Sequence, residues 1–270
     1  MARSRTRTVL ARRLGLDGAR RVPEPVLVEE PMEIRLGDLT MTTTMRTPGH
    51  DYELAAGWCW SEGLLAGRTV REIRYCATGS AVDTGFNVVT VGVDGPAVPA
   101  APRLTSTSSS CGICGSTSVD DLVDRLAPLP PPDAPLDGAV LAGLSEAVRP
   151  QQELFDATGG SHAAAACSVA GEPLVVREDI GRHNAVDKVV GRLLLDGALP
   201  ATGLVLWVSG RASFEMVQKA WAAGFVALVS VSAPSSLAVD LAQRAGMVLG
   251  GFARDGRLTV VAGQDLVAGG

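Results

Sequence analysis

The sequence predicts an α/β protein in two parts, and three observations carry that reading. Beyond residue 160, continuous apolar stretches alternate with amphipathic ones. Residues 161–169, 173–177, 203–208, 225–231 and 247–252 read as strands, and 183–195, 213–223 and 235–245 as helices. Strands that are apolar on both faces and separated by helices imply a buried, mostly parallel sheet covered on both sides, an α/β/α unit. Before residue 100 the segments are instead β-branched and partly alternating, as in a half-buried sheet. Between the two, Ala127-Pro-Leu-Pro-Pro-Pro-Asp-Ala-Pro135 is a stiff extended connector. The expected layout is a disordered basic tail over 1–22, a smaller β-rich domain over 23–126, a linker over 127–137 and a larger α/β domain over 138–270.

Within the first part, 26–36 and 39–46 form an expected hairpin around Gly37-Asp38. Pro48 precedes a helix over 51–65, whose Asp51 and Glu53 suit the positive end of its dipole. Leu54, Trp58 and Cys59 make its buried face, so Cys59 reads as core packing. Strands over 70–76 and 87–93 follow. Val119, Leu122, Val123 and Leu126 have helical spacing, and helical segments at 140–148 and 151–155 lead into the second part.

Composition narrows the function. A net charge of −5 argues against general affinity for nucleic acid or membrane surfaces, which need a basic excess. No run approaches the roughly 20 apolar residues of a membrane span. The N-terminus, Arg-rich but with no apolar segment after it, does not read as an export signal. Five scattered cysteines do not make a secreted disulfide framework, so a reducing cytoplasm is the expected compartment.

Four stretches carry chemistry. Ser110-Cys-Gly-Ile-Cys-Gly115 places Cys111 and Cys114 three residues apart ahead of an expected helix start, and both features lower a thiol pKa. The same spacing also fits a tight structural turn or half of a zinc site. Val208-Ser-Gly-Arg-Ala-Ser213 runs from strand to helix through Ser209, Gly210 and Arg211, giving amides, a hydroxyl and a guanidinium for an anion. The loop at 231–236 repeats the arrangement one unit later, so two helix N-termini could share a diphosphate; helix capping by serine is the plainer account of either loop alone. Arg177-Glu-Asp-Ile-Gly-Arg-His-Asn-Ala-Val-Asp-Lys188 packs Asp179, Arg182, His183 and Asn184 around Gly181. Phe252-Ala-Arg-Asp-Gly-Arg257 sets Arg254 and Arg257 about a turn.

In chain order and spacing, Ser110–Gly115, Glu178–Lys188, Ser209–Met216 and Gly250–Arg257 resemble the formate dehydrogenase accessory sulfurtransferase family, FdhD, and the resemblance runs from about residue 25 to 260. The resemblance implies a cytoplasmic sulfur carrier, a larger domain similar to the cytidine deaminase fold, and a homodimer. It implies that a cysteine desulfurase hands sulfur to the carrier as a persulfide. The carrier then passes it to the molybdenum or tungsten of a bis(molybdopterin guanine dinucleotide) cofactor destined for formate dehydrogenase. By motif match the persulfide falls on Cys111, with Cys114 beside it. The cofactor-binding segment falls on Phe252, Ala253, Arg254, Asp255, Gly256 and Arg257, and the anion loops supply Ser209, Gly210, Arg211, Gly181, Arg182, His183 and Asn184. GDP would serve as a fragment of the cofactor, with Asp179 or Asp187 as candidate acceptors from guanine. Two other readings stay open. One is a non-catalytic chaperone of the same cofactor. The other is a zinc deaminase-like hydrolase, disfavoured because Ala164 stands where His-x-Glu chemistry needs its acid.

Overall fold

The computed structural model describes residues 3–16, 18–76, 80–95 and 126–269. Cys111, Cys114 and, apart from Leu126, the helix expected over 119–126 lie outside the described residues.

The first surprise is the N-terminus. The segment expected to be a disordered tail is an antiparallel ribbon, β1 (Thr6–Gly15) with β2 (Gly18–Leu27), in unbroken register from Thr6↔Leu27 to Gly15↔Gly18. Its arginines hid it: Arg12 stands opposite Arg21 and Arg13 opposite Arg20, and facing like charges count against pairing.

Next, β3 (Glu30–Leu36), β4 (Leu39–Arg46), β5 (Val70–Tyr75) and β6 (Val88–Val93) form a four-stranded sheet in the order β4-β3-β6-β5. The helix α1 (Asp51–Ser61) packs Leu54, Ala55 and Cys59 onto Met32, Ile34, Leu36, Val89 and Val91.

The second sheet has six strands, β8 (His162–Ser168), β9 (Pro173–Asp179), β10 (Leu204–Val208), β11 (Ala227–Ser230), β12 (Val248–Arg254) and β13 (Arg257–Ala262), in the order β13-β12-β11-β10-β8-β9. Only β10–β11 and β11–β12 are parallel; the other three pairs are antiparallel. The sheet is therefore mixed, not mostly parallel. Unbroken apolar content reports burial on both faces but not strand direction, and tight turns at Gly171 (φ 87) and at Asp255-Gly256 (φ 53 and 66) return the outer strands alongside their neighbours.

Short helices α2 (Gly138–Ala142) and α3 (Leu144–Val148) cover the face carrying Ala163, Ala165 and Cys167. They replace one expected helix, broken at Gly143. After α4 (Glu153–Thr158), the helices α5 (Arg182–Leu195), α6 (Phe214–Ala223) and α7 (Ser236–Ala245) cover the face carrying Ala164 and Ala166. The proline-rich connector is seated rather than free: Leu129 N donates to Ala245 O (2.8 Å) and Trp221 Nε1 to Ala127 O (2.8 Å). Beyond it, β7 (Leu136–Asp137) pairs with β14 (Val267–Ala268). No described helix is long and apolar enough to cross a membrane.

The two sheets are joined where α1 crosses α5 at backbone contact. A Cβ on Gly57 would lie 1.9 Å from Asp187 O, and one on Gly191 would lie 1.8 Å from Glu53 O. Around the crossing, Trp60 Nε1 donates to Ala222 O (2.8 Å) and Gln218 Nε2 to Ser61 O (2.9 Å). Gly191→Ala is expected to lower the unfolding free energy in urea by about 3 kcal/mol or more, because the obstruction is main chain and cannot rotate away. Gly143→Ala, whose added carbon meets nothing nearer than 3.5 Å, should stay within about 1 kcal/mol of the parent.

Candidate functional site at the carboxyl edge of the large sheet

Because β10, β11 and β12 run together while β8 opposes β10 and β9 opposes β8, one edge collects the ends of all five. It receives the carboxyl ends of β9, β10, β11 and β12 and the amino end of β8, where open α/β sheets hold ligands. Ser209 N donates to Ala163 O, and Ser209 Oγ accepts from Ala163 N, both at 3.0 Å, with His162 Nδ1 3.4 Å from the same hydroxyl. Gly210 lies against Arg182 and His162: an added Cβ would stand 3.5 Å from Arg182 Cδ and 3.6 Å from His162 Cε1. The next loop is tied alongside through Ser235 N to Ala212 O (3.0 Å), and Phe252 N reaches Ser232 O (3.2 Å). Ser209, Gly210, Arg211, Arg182, His183 and Phe252 therefore gather on this edge. His162, the histidine two residues before Ala164, joins them.

Two polar atoms here are buried without a hydrogen-bond partner among the described residues, Arg182 Nε and Ser213 Oγ. Arg182 opens α5, whose N-cap is Gly181 and has no side chain to offer. Ser213 sits at the N-cap of α6 but makes no capping bond. At the neighbouring helix the plain reading of a cap holds: Ser235 Oγ accepts from Ala238 N (3.3 Å). The unanswered donors thus belong to α5 and α6, and with the exposed Arg211 they form an edge suited to an anion.

The His162 imidazole and the Glu215 carboxyl are tuned by these surroundings. Burial, reinforced by the charges of Arg182 and His183, holds His162 below the ordinary histidine range. His183 Nε2 lies 2.5 Å from Glu215 Oε2. Burial alone would raise the Glu215 carboxyl, but the His183 bond together with the charges of His183, Lys219 and Arg182 keeps the group below the usual carboxylate range.

Other expected site residues are placed elsewhere. Asp179 is fully buried; it accepts from Thr47 N (3.1 Å), Gly181 N (2.8 Å) and Asn184 Nδ2 (3.0 Å) and pairs with Lys188 Nζ at 2.7 Å. Asp187 pairs with Lys219 Nζ at 2.8 and 2.9 Å and accepts from Ser61 Oγ. With every oxygen engaged and no surface, neither carboxylate is placed to read guanine, which corrects that expectation. Asn184 is likewise spent on Met45 O (2.8 Å) and Asp179. In the last motif, Ala253 is buried and its carbonyl accepts from Ser145 Oγ. Arg254, Asp255, Gly256 and Arg257 are exposed about the β12–β13 turn, with Asp255 and Arg257 paired at 3.4 Å.

Among the described cysteines, burial pushes the thiols of Cys59 and Cys167 up to about 12, too high to ionise at neutral pH. No group of three or more His, Cys, Asp or Glu side chains among the described residues is arranged to hold a metal.

Comparison with known proteins bears on this edge. Residues 27–268 match the FdhD/NarQ family. The chain belongs to that family. Over 256 residues it is 50% identical to the sulfur carrier protein FdhD of Streptomyces coelicolor, covering 91% of this chain and 90% of that one. It is 46% identical over 259 residues to the protein of the same name from Corynebacterium efficiens, covering 90% of each. A crystal structure of a formate dehydrogenase accessory protein from Desulfotalea psychrophila superposes with a TM-score of 0.76 at 25% identity, covering 98% of this chain and 100% of that one.

For this FdhD/NarQ chain the acidic motif divides into framework and surface. Asp179→Ala should lower the unfolding free energy by about 3–5 kcal/mol, since it strands the Lys188 ammonium in the interior. Arg211→Ala, at an exposed position, should change it by less than about 0.5 kcal/mol. Parallel urea titrations check both.

Proposed function

We propose that the chain is a sulfur carrier serving formate dehydrogenase, with Cys111 as the carrying atom. The Cys111 thiolate attacks the outer sulfur of a desulfurase persulfide, the desulfurase thiolate leaves, and the sulfur rides as a Cys111 persulfide. The outer sulfur is then passed to the metal of the bis(molybdopterin guanine dinucleotide) cofactor, the acceptor substrate, with the Cys111 thiolate as leaving group and the reduced metal supplying the two electrons that take the sulfur to the sulfide level. A cytoplasmic homodimer, with its larger unit of the cytidine deaminase type, is the form we propose. Three things support the reading. Family membership and the name borne by its relatives point to sulfur carrying. The raised pKa values of Cys59 and Cys167 remove them as nucleophiles. The observation that carries the acceptor side is the carboxyl edge, where Arg182 Nε and Ser213 Oγ are unanswered beside Arg211 and the exposed ring of Phe252.

In this account Arg182, Ser213 and Arg211 hold phosphate oxygens of the cofactor's dinucleotide arms, and Phe252 offers an apolar face to a base. Phe252 is held outward by a left-handed backbone (φ 58) at an irregularity in the β12–β13 ladder.

Incubated with a cysteine desulfurase and cysteine, the protein should gain the mass of one sulfur atom, and Cys111→Ser should not. A Cys111→Ser variant that still sustained full formate dehydrogenase activity in cells would instead point to a non-catalytic cofactor chaperone. At the acceptor end, GDP affinity measured by calorimetry should fall about tenfold in Arg211→Ala, the loss of one charge-assisted phosphate contact. Unchanged affinity would take Arg211 out of the site.

A further inference from the structure

A cavity of about 280 Å³ lies where the N-terminal ribbon meets the body, lined by Arg5, His50, Gln151, Glu153, Arg177 and Glu178 among others. It shares no lining residue with the carboxyl edge, and its charges can be accounted for one at a time. Arg177 is forked onto Glu53, at 2.5 Å from Nε and 2.9 Å from Nη2, and its Nη1 donates to Val176 O (2.9 Å). Burial would raise the Glu53 carboxyl, but the bonds from Arg177 and His50 hold it down at about 2, so that pair is charged and complete. Glu178 is saturated by Leu154 N and Phe155 N at 2.8 Å and by Ser161 Oγ at 2.6 Å. Glu153 is exposed in the first turn of α4.

Glu178 and Glu153 are carboxylates without an ion pair, and Arg5 is the cation of this lining with none, among the described residues. Its Nε is buried with no hydrogen-bond partner, and it makes no ion pair among the described residues. Its carbonyl accepts from Val28 N (2.9 Å) and its stem lies against Gly49, so the side chain is held in place. The charge it bears on is another cation: Arg5 works against protonation of the buried Lys188. Arg5 as a whole is half-buried with its Nε enclosed, and a guanidinium presents a planar fork of donors matched to the oxygens of a small anion. We propose that this cavity binds a small oxyanion of phosphate size on Arg5, with His50 beside it. The volume is several times the roughly 30 Å³ share of one water, so a tetrahedral oxyanion fits with part of its hydration. Bound there, it ties the base of the ribbon to the start of α1 and to β9.

The test is calorimetric titration of inorganic phosphate into the full-length chain. The carboxyl edge offers its own anion site, so Arg211→Ala is the reference. In that variant the edge is expected to bind about tenfold more weakly, so that the tighter phosphate site left is the one at Arg5, and adding Arg5→Met should weaken that site by about tenfold or more. Phosphate binding that is absent from the reference, or unaltered by Arg5→Met, overturns the proposal. Should circular dichroism show Arg5→Met to be unfolded, Arg5→Lys in the same background keeps the charge and the stem but not the fork. It is expected to bind several-fold more weakly, and unaltered affinity there overturns the proposal equally. Sulfur loading of Cys111 is read separately, so either result leaves the sulfur-carrier reading to its own experiment.

Discussion

The helix crossing at Gly57 and Gly191 is the contact on which the rest of the architecture rests. Any side chain at either position would occupy the space of a backbone carbonyl from the other helix. The approach so permitted brings Glu53 within reach of Arg177 and Ser61 within reach of Asp187. It also sets the chain between β4 and α1 over the start of α5. There Thr47 N donates to Asp179, Thr47 Oγ1 accepts from Ile180 N and Thr47 O accepts from Lys188 Nζ, while Met45 O accepts from Asn184 Nδ2 and Thr44 Oγ1 donates to Asn184 Oδ1. The loop that opens the functional edge is thus clamped by the other sheet, and its conformation depends on the crossing.

That clamp explains why so polar a motif yields so few surface groups. Lys188 is wholly enclosed and burial pushes its ammonium below the ordinary lysine range, while Asp179 beside it works in the opposite direction. A buried pair of this kind adds little net stability over a well-packed apolar pair, but breaking it is costly. Its geometric effect is to fix where residues 179–184 run. With Asp179, Asn184 and Asp187 spent internally, Arg182 and His183 are the side chains of the motif left facing the edge. Charge density along a sequence therefore overstates the number of groups available to a ligand whenever the segment also joins two units.

Much of this was legible in the sequence, and the parts that were not share a cause. Apolar periodicity located β8 to β12 and α5 to α7 to within a few residues, because those segments pack through their own faces. The turn at Phe252–Arg257 already implied the return of β13, but strand direction in β8 and β9 was not legible, since it is set by connections such as Ser168–Gly171 rather than by the strands. The ribbon of β1 and β2 was missed for a related reason: its facing arginines look like a solvated tail until the partner strand is seen. At the site, the sequence singled out Arg211, Ser209 and Arg182. It could not show that His162 joins them, because that depends on Gly210 packing on the start of β8, nor that Ser235 is consumed as a cap while Ser213 is not.

A protein that carries reactive sulfur must also avoid loading it in the wrong place, and burial offers a physical way to do so. Thiolate, not thiol, attacks a persulfide. With their thiols near 12, Cys59 and Cys167 are ionised at neutral pH to only about one part in 10⁵, and neither has a surface a donor could reach. Cys59 is held between α1 and the small sheet, and Cys167 lies on the sheet face under α2 and α3. The packing that makes these two cysteines good core residues is what silences them. Cys76 is only half-buried and lacks that enclosure, while in a Cys-x-x-Cys motif the spacing itself favours ionisation. For Cys59 and Cys167, burial in the core is by itself enough to keep the thiol from acting as a nucleophile.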